Sequence, residues 1–248
     1  MTGAHVRIGR AGASFALAAL LAPAGVQGQS VDEIVAKHVA ARGGRKALAA
    51  LRSLRMTGRA SAGPGREAVV RREIARPGRI RTEFEFQGTT GIYAWDGATG
   101  WRVSPLDGSL EAQPLPAEEA DAAVEQADIE GPLVDWKLKG HTLELVGPAT
   151  LPGGPAHELK VTLKSGAVRR VFVDAATGLV VRTESKRRLR GHELALETLF
   201  GDYRLTGGVA FPHSIEIGAR DRPKRLRIVV DSVEINPALD DSRFQKPR

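Results

Sequence analysis

From Ser53 onward the chain is written in short runs of Val, Ile, Thr and aromatic residues separated by Gly, Pro and Asp. A chain written this way pairs its strands antiparallel over local turns. The clearest run is Ile80-Arg81-Thr82-Glu83-Phe84-Glu85-Phe86. Successive side chains on a strand point to opposite faces, so Ile80, Thr82, Phe84 and Phe86 share a dry face while Arg81, Glu83 and Glu85 share a wet one. Similar runs at Ser53–Ser61, Glu67–Arg76, Arg79–Gln87, Thr90–Trp95 and Trp101–Ser104 predict five strands. Further runs at Thr142–Val146, His157–Leu163, Val168–Asp174, Leu179–Lys186, Glu193–Phe200, Val209–Ile217 and Leu226–Ile235 predict seven more. About a dozen strands with mostly local connections read as an antiparallel meander, open or closed.

Two turns share the spelling D-x-x-T-G: Asp96 to Gly100 and Asp174 to Gly178. The Asp side chain can bond its own turn backbone, and a final Gly tolerates the positive φ that closes a short hairpin. A calcium loop would need alternating oxygen ligands and a terminal Glu, which neither turn has.

Helical spacing appears in three places. Val31, Ile34, Val35, His38 and Val39 line one side of Val31–Ala41, with Ser30 as N-cap and Glu33 three residues on. Gly43-Gly44 breaks this helix, and Lys46–Leu51 resumes it. After a Pro- and Gly-bearing loop at 106–116, Ala117–Ile129 reads as an acidic, Ala-rich helix that Gly131-Pro132 stops, followed by the apolar Leu133-Val134-Asp135-Trp136.

The first thirty residues read as a cleavable secretion signal. Arg7 and Arg10 precede a short apolar core, Ala11–Ala22, with small residues around Gly28. The core holds about a dozen residues, whereas a membrane span needs roughly 20. Cleavage after Gly28 is expected to leave 29–248 as a single domain working in the periplasm. The 36 Lys and Arg against 29 Asp and Glu make the chain basic, and only two of those cations lie in the signal. Outside the cytoplasm a basic surface meets phospholipid headgroups, glycolipids or acidic polymers rather than nucleic acid, so transient membrane contact is allowed. With no cysteine, disulfides, thiol chemistry and cysteine-ligated metals are excluded, and stability rests on a buried core.

Reaction-bearing motifs are missing. His38, His141, His157, His192 and His213 form no HExxH or HxH pair, so no metal is expected. No Ser sits in a G-x-S-x-G elbow, and Gly43-Gly44-Arg45-Lys46 lacks the phosphate-loop frame. Basic clusters occur at 66–81, at 186–190 and at 220–227, where a solvated strand face is the default reading and an anion-attracting rim the alternative. Phe84, Phe86, Tyr93, Trp95 and Trp101 fall within one β segment, with Trp136 just past the inserted helix. Such a concentration packs a core or walls an apolar cavity.

The layout resembles the LolA-like superfamily of periplasmic lipid and lipoprotein carriers, in a branch described as lipoprotein-sorting proteins. The resemblance spans nearly all of 29–248. It is carried by VAKHVAARGGRKALAALRSLRMTGRA, YAWDGATGW, ADIEGPLVDWK, VDAATGLVVRTESK, FGDYRLTGGVAFPHSIE and VEINPALDDSRFQKP. It implies a mainly β, α+β fold: an antiparallel incomplete barrel with N-terminal helices, and an inserted lid helix on its concave side. It further implies a non-enzymatic carrier that needs no cofactor. Phe84, Phe86, Tyr93, Trp95, Trp101, Leu133 and Trp136 would line a trough for lipid or acylated lipoprotein, handed towards the outer membrane through inner- or outer-membrane transport components. An acyl chain gains about 0.8 kcal/mol per buried CH₂, so a dry trough suffices for binding. The alternative is a non-enzymatic module, such as an envelope-stress sensor, that binds a protein partner with the same fold.

Overall fold

The structure is a computed structural model describing residues 1, 29–105, 108–189, 192–220 and 222–247. The signal read over 2–28 lies outside the described residues, as do Arg190 and the side chain of Arg188. The first helix, α1 (Val31–Ala41), starts at the expected capping box: the Glu33 amide donates to Ser30 Oγ, and the Ser30 amide donates to Glu33 Oε2 at 2.7 Å. Its buried face is Ile34, Val35, His38 and Val39. The break falls at Gly43, with φ +115°, and α2 (Gly44–Ala49) follows. A Cβ at Gly43 would lie 2.0 Å from the Gly208 carbonyl oxygen, so the position requires glycine for space as well as for φ.

Among the described residues, thirteen strands form one antiparallel sheet. The first six are β1 (Ser53–Ser61), β2 (Glu67–Ala75), β3 (Arg79–Phe86), β4 (Thr89–Trp95), β5 (Gly100–Ser104) and β6 (Ser109–Pro114). Helix α3 (Ala117–Gln126) intervenes. Then come β7 (Thr142–Leu151), β8 (Gly154–Thr162), β9 (Val168–Asp174), β10 (Val180–Leu189), β11 (His192–Thr206), β12 (Val209–Ala219) and β13 (Arg225–Ile235). Each half is a meander, and the two halves join where β1 pairs with β13. The edges are therefore β6 and β7, which are consecutive in sequence and unpaired with each other, so the barrel stays open as expected. Strand β6 lies where the sequence reads as a Pro- and Gly-bearing loop; its Pro114 ends an edge strand, a position that tolerates proline.

This topology fixes the place of α3. The chain between the two edge strands must cross the opening, and α3 contacts β3 and β4 on one side and β10 on the other. The helices pack on the inner face over a core of Ile34, Val39, Leu48, Leu54, Ile74, Ile80, Leu133, Leu159 and Phe211. A smaller inner cluster of Ala60, Val70, Ile228 and Val230 packs with Phe84 and Ile217.

The D-x-x-T-G turns are built as the sequence predicts, with one difference. Asp96 Oδ1 accepts from the amides of Ala98 and Thr99, and Asp174 Oδ1 from those of Ala176 and Thr177. The final glycine takes positive φ in the second turn (Gly178, +75°), whereas in the first it is Gly97 that does so, at +107°. At Gly100 the demand is space instead: a Cβ there would meet Leu115 Cδ1 at 2.3 Å.

The outer face of β1 to β3 is wet at Glu85, as alternation suggested, but covered at the end that holds Glu73, Arg81 and Glu83. The C-terminal segment around the 3-10 turn Asp241–Arg243 lies over it. Glu73, only 1 % exposed, receives Arg55 Nε at 2.9 Å and Arg243 Nε at 2.5 Å. Phe244 is fully buried there.

Candidate ligand-binding trough

Register determines which side chains share the inner face. Thr82 pairs with Arg72 on β2 and with Tyr93 on β4, and Tyr93 pairs with Arg102 on β5. Directly opposed residues on antiparallel strands point to the same face. A row Arg72, Thr82, Tyr93, Arg102 therefore crosses the sheet beneath α3. One step along β3, Phe84 pairs with Val70 and Gly91; one further, Phe86 pairs with Thr89. Polar groups thus give way to apolar ones along the same face.

Beyond the polar row lies a cavity of about 490 Å³. Phe84, Phe86, Tyr93 and Leu226 line it, with Arg102 and Glu119 at one end and Arg66 at the other. Its size is in the range of ligand pockets. Gly91 and the alanines at 60, 62 and 68 leave the space that larger side chains would fill. A second cavity of about 460 Å³ lies on the other side of α3, bounded by Val124, Glu125, Ile129, Lys139, His141 and Arg169.

Polar contacts pin α3 to both walls. Tyr93 Oη donates to the Glu119 carbonyl at 2.8 Å, and Arg102 Nη1 donates to Glu119 Oε1 at 2.5 Å. At the other end, Arg169 on β9 and Arg187 on β10 both bond Glu125 Oε2. Arg72 Nη2 donates to the Gln126 side-chain oxygen at 3.1 Å. Burial lowers the pKa of Arg72 and of Arg187 and brings Arg169 down to about 10; a guanidinium in a protein keeps its proton at neutral pH. Burial first, and then Glu119, push the Tyr93 phenol up to about 12, so it remains a proton donor.

The structure brings together three of the seven residues singled out in the sequence: Phe84, Phe86 and Tyr93 line the cavity. Trp95 and Trp136 are half-buried against the main core, and Leu133 is inside it. Trp101 lies elsewhere. It pairs with Ala94, one residue out of step with Tyr93, so its indole lies on the outer face. There it is buried, donates to the Phe244 carbonyl and stacks under Arg81. Arg72, Arg102, Glu119 and Glu125 were not singled out; their signal was the charge on a face otherwise marked apolar, legible for Arg72 and Arg102 only once register is known.

No group of three His, Asp or Glu side chains that could hold a metal occurs among the described residues. No helix among them is long and apolar enough to cross a membrane.

No protein-family model matches the sequence, and no curated protein matches it. Solved structures do. A Vibrio parahaemolyticus domain named for outer membrane lipoprotein sorting superposes with a TM-score of 0.58 at 14% identity, covering 88% of this chain and 98% of that one. A DUF1329 family protein from Desulfovibrio piger gives 0.60 at 12% identity, over 87% and 97%. A LolA superfamily protein from Nitrosomonas europaea gives 0.56 at 13%, over 88% and 98%. At such identities the likeness is one of fold, and the fold of this chain is that of the LolA superfamily and lipoprotein-sorting structures.

Proposed function

We propose that this protein is a periplasmic carrier or binder of lipids or acylated proteins, exported by its N-terminal signal, with the acyl chain held in the cavity beside α3. The observation that carries this reading is the apolar space of about 490 Å³ between Phe84, Phe86 and Tyr93 on an open sheet. The solved structures of the same fold include one named for lipoprotein sorting, which supports it. Binding there needs no reaction. Each methylene buried contributes about 0.8 kcal/mol, and release follows when α3 moves or a second apolar surface competes for the chain. In this reading Phe84, Phe86 and Tyr93 contact the ligand, while Trp95, Leu133 and Trp136 form the packed floor that keeps the trough open.

The test is mass spectrometry of organic extracts from the protein purified without detergent from the periplasm that exports it. A stoichiometric lipid or acylated peptide is the expected result. Stable, folded protein that yields a clean extract would overturn the carrier reading in favour of a module that binds a protein partner.

A further inference from the structure

The half-buried charges under α3 do not balance. Four arginines on the inner face, Arg72, Arg102, Arg169 and Arg187, point at this helix, and only two carboxylates pair with them: Glu119 with Arg102, and Glu125 with both Arg169 and Arg187. Asp121 reaches Arg187 through its field alone. Among the described residues no carboxylate is within ion-pair distance of Arg72, whose hydrogen-bond partner is the neutral amide of Gln126. Arg72 is half-buried, and a charge partly withdrawn from water without a counter-charge is unfavourable, so proteins tend to neutralise it by pairing.

A second observation points to the same place. Thr82 stands next to Arg72 in the register, is 3 % exposed, and its hydroxyl has no hydrogen-bond partner in the structure. A buried hydroxyl without a partner forfeits its hydration with nothing in return. On its other side is Tyr93, which lines the inner end of the apolar cavity beside Arg102. A surplus cation, an idle hydroxyl and a phenol therefore form a row whose Tyr93 end lines the apolar cavity, with Thr82 and Arg72 next in register beneath α3. From Thr82 the groove runs outward past Phe84 to Phe86, about 14 Å at two residues per step on the face.

Resting on the carrier reading, we infer that the trough takes a single-chain amphiphile with an anionic head, bound head inward: the anion on Arg72 and the Thr82 hydroxyl beside Tyr93, the chain along Phe84 and Phe86 towards the hairpin that bears Arg66. The head supplies the missing counter-charge and accepts from the Thr82 hydroxyl. Carboxylate and phosphate heads share this chemistry.

The test is a binding titration of the delipidated protein with palmitate, 1-palmitoyl lysophosphatidate and the uncharged 1-palmitoylglycerol, followed by calorimetry. The expected result is that at least one anionic probe binds tenfold or more tighter than the neutral ester, since a hydrogen bond to a charged group is worth that much. Whichever of palmitate and lysophosphatidate binds tighter identifies the head. Arg72→Met should abolish the preference, and Arg72→Lys should retain most of it. Equal affinity for all three probes would overturn the anion site and leave the apolar trough standing. Failure of every probe to bind would overturn both. The comparison on the wild-type protein decides the question even if Arg72→Met does not fold.

Discussion

Trp101 Nε1 donates to the Phe244 carbonyl oxygen at 2.8 Å, a bond that clips the C-terminal segment to the outer face of β5. Around it Phe244 is fully buried, Arg79 lies over the Phe244 ring, and Arg243 reaches Glu73. The segment therefore covers an ion pair and an indole that would otherwise face water. Phe244→Ala removes the largest apolar group of this cover, and truncations of buried Phe cost about 3–5 kcal/mol. Urea unfolding should show a loss of that size. Trp101 emission should shift to the red in the folded variant, because the indole becomes wet.

How far sequence carries the fold is clearest on β3. Parity alone puts Ile80, Thr82, Phe84 and Phe86 on one face, and that face is the inner one. Parity cannot say how β5 meets β4. A four-residue turn separates them, and the pairing of Ala94 with Trp101 sends that tryptophan to the opposite side from Tyr93. A one-residue difference in register exchanges the two faces of a strand, and the pattern Gly-Trp-Arg-Val-Ser fits either. The acidic residues of α3 misled in another way. On sequence they mark only an acidic helix, yet Glu119 and Glu125 face arginines 17 and 44 residues away in the chain. Glu73 reads as a wet position for the same reason: its partner Arg243 is 170 residues away.

Glu125 holds Arg169 and Arg187 together at the point where α3 meets the second half of the sheet. Glu125→Gln leaves two guanidiniums, each about one-fifth exposed, without their counter-charge. Removing one partner of a buried pair costs about 3–5 kcal/mol, and the partial exposure here brings the expectation down to about 2–4 kcal/mol. Hydrogen exchange should place the weakening in α3, with amides of β12 and β13 little changed at mild denaturant.

His38 gives the fold a pH dependence. It is buried on α1 with Nδ1–H donating to the Gly178 carbonyl, and desolvation, helped by Arg42, brings it down from 6.5 to about 4. Below pH 6.5 the unfolded chain takes up a proton that the folded chain refuses, so stability is complete above that pH and is lost as pH falls towards 4. Between pH 7 and pH 5 the loss is about 2 kcal/mol. Denaturant titrations at the two pH values should show it in the wild-type protein and not in His38→Asn, which keeps a donor for the Gly178 carbonyl without titrating.

Gly43 links the helical hairpin to the β11–β12 turn. With φ at +115° and the Gly208 carbonyl oxygen 2.0 Å from where a Cβ would sit, Gly43→Ala meets backbone on backbone, and neither can yield by rotating a side chain. The expected cost exceeds about 2 kcal/mol, above the range of compatible Gly-to-Ala changes, which stabilise. Gly44→Ala is the control: its φ is also positive, at +85°, but nothing lies within 4 Å of its Cβ. The smaller loss at Gly44 in parallel melts would measure the clash apart from the dihedral strain.

Phe86 separates binding from folding. It lines the cavity half-buried and belongs to neither packed cluster, so the fold does not depend on its ring. Phe86→Asp puts a carboxylate beside the path of an acyl chain, where burying it without a partner is unfavourable. Palmitate affinity should fall more than tenfold in calorimetric titration, while the melting temperature stays within a few degrees of wild type. Unchanged affinity would mean that the chain does not run past Phe86, and the cavity between Val124 and Ile129 on the far side of α3 would be the next site to test.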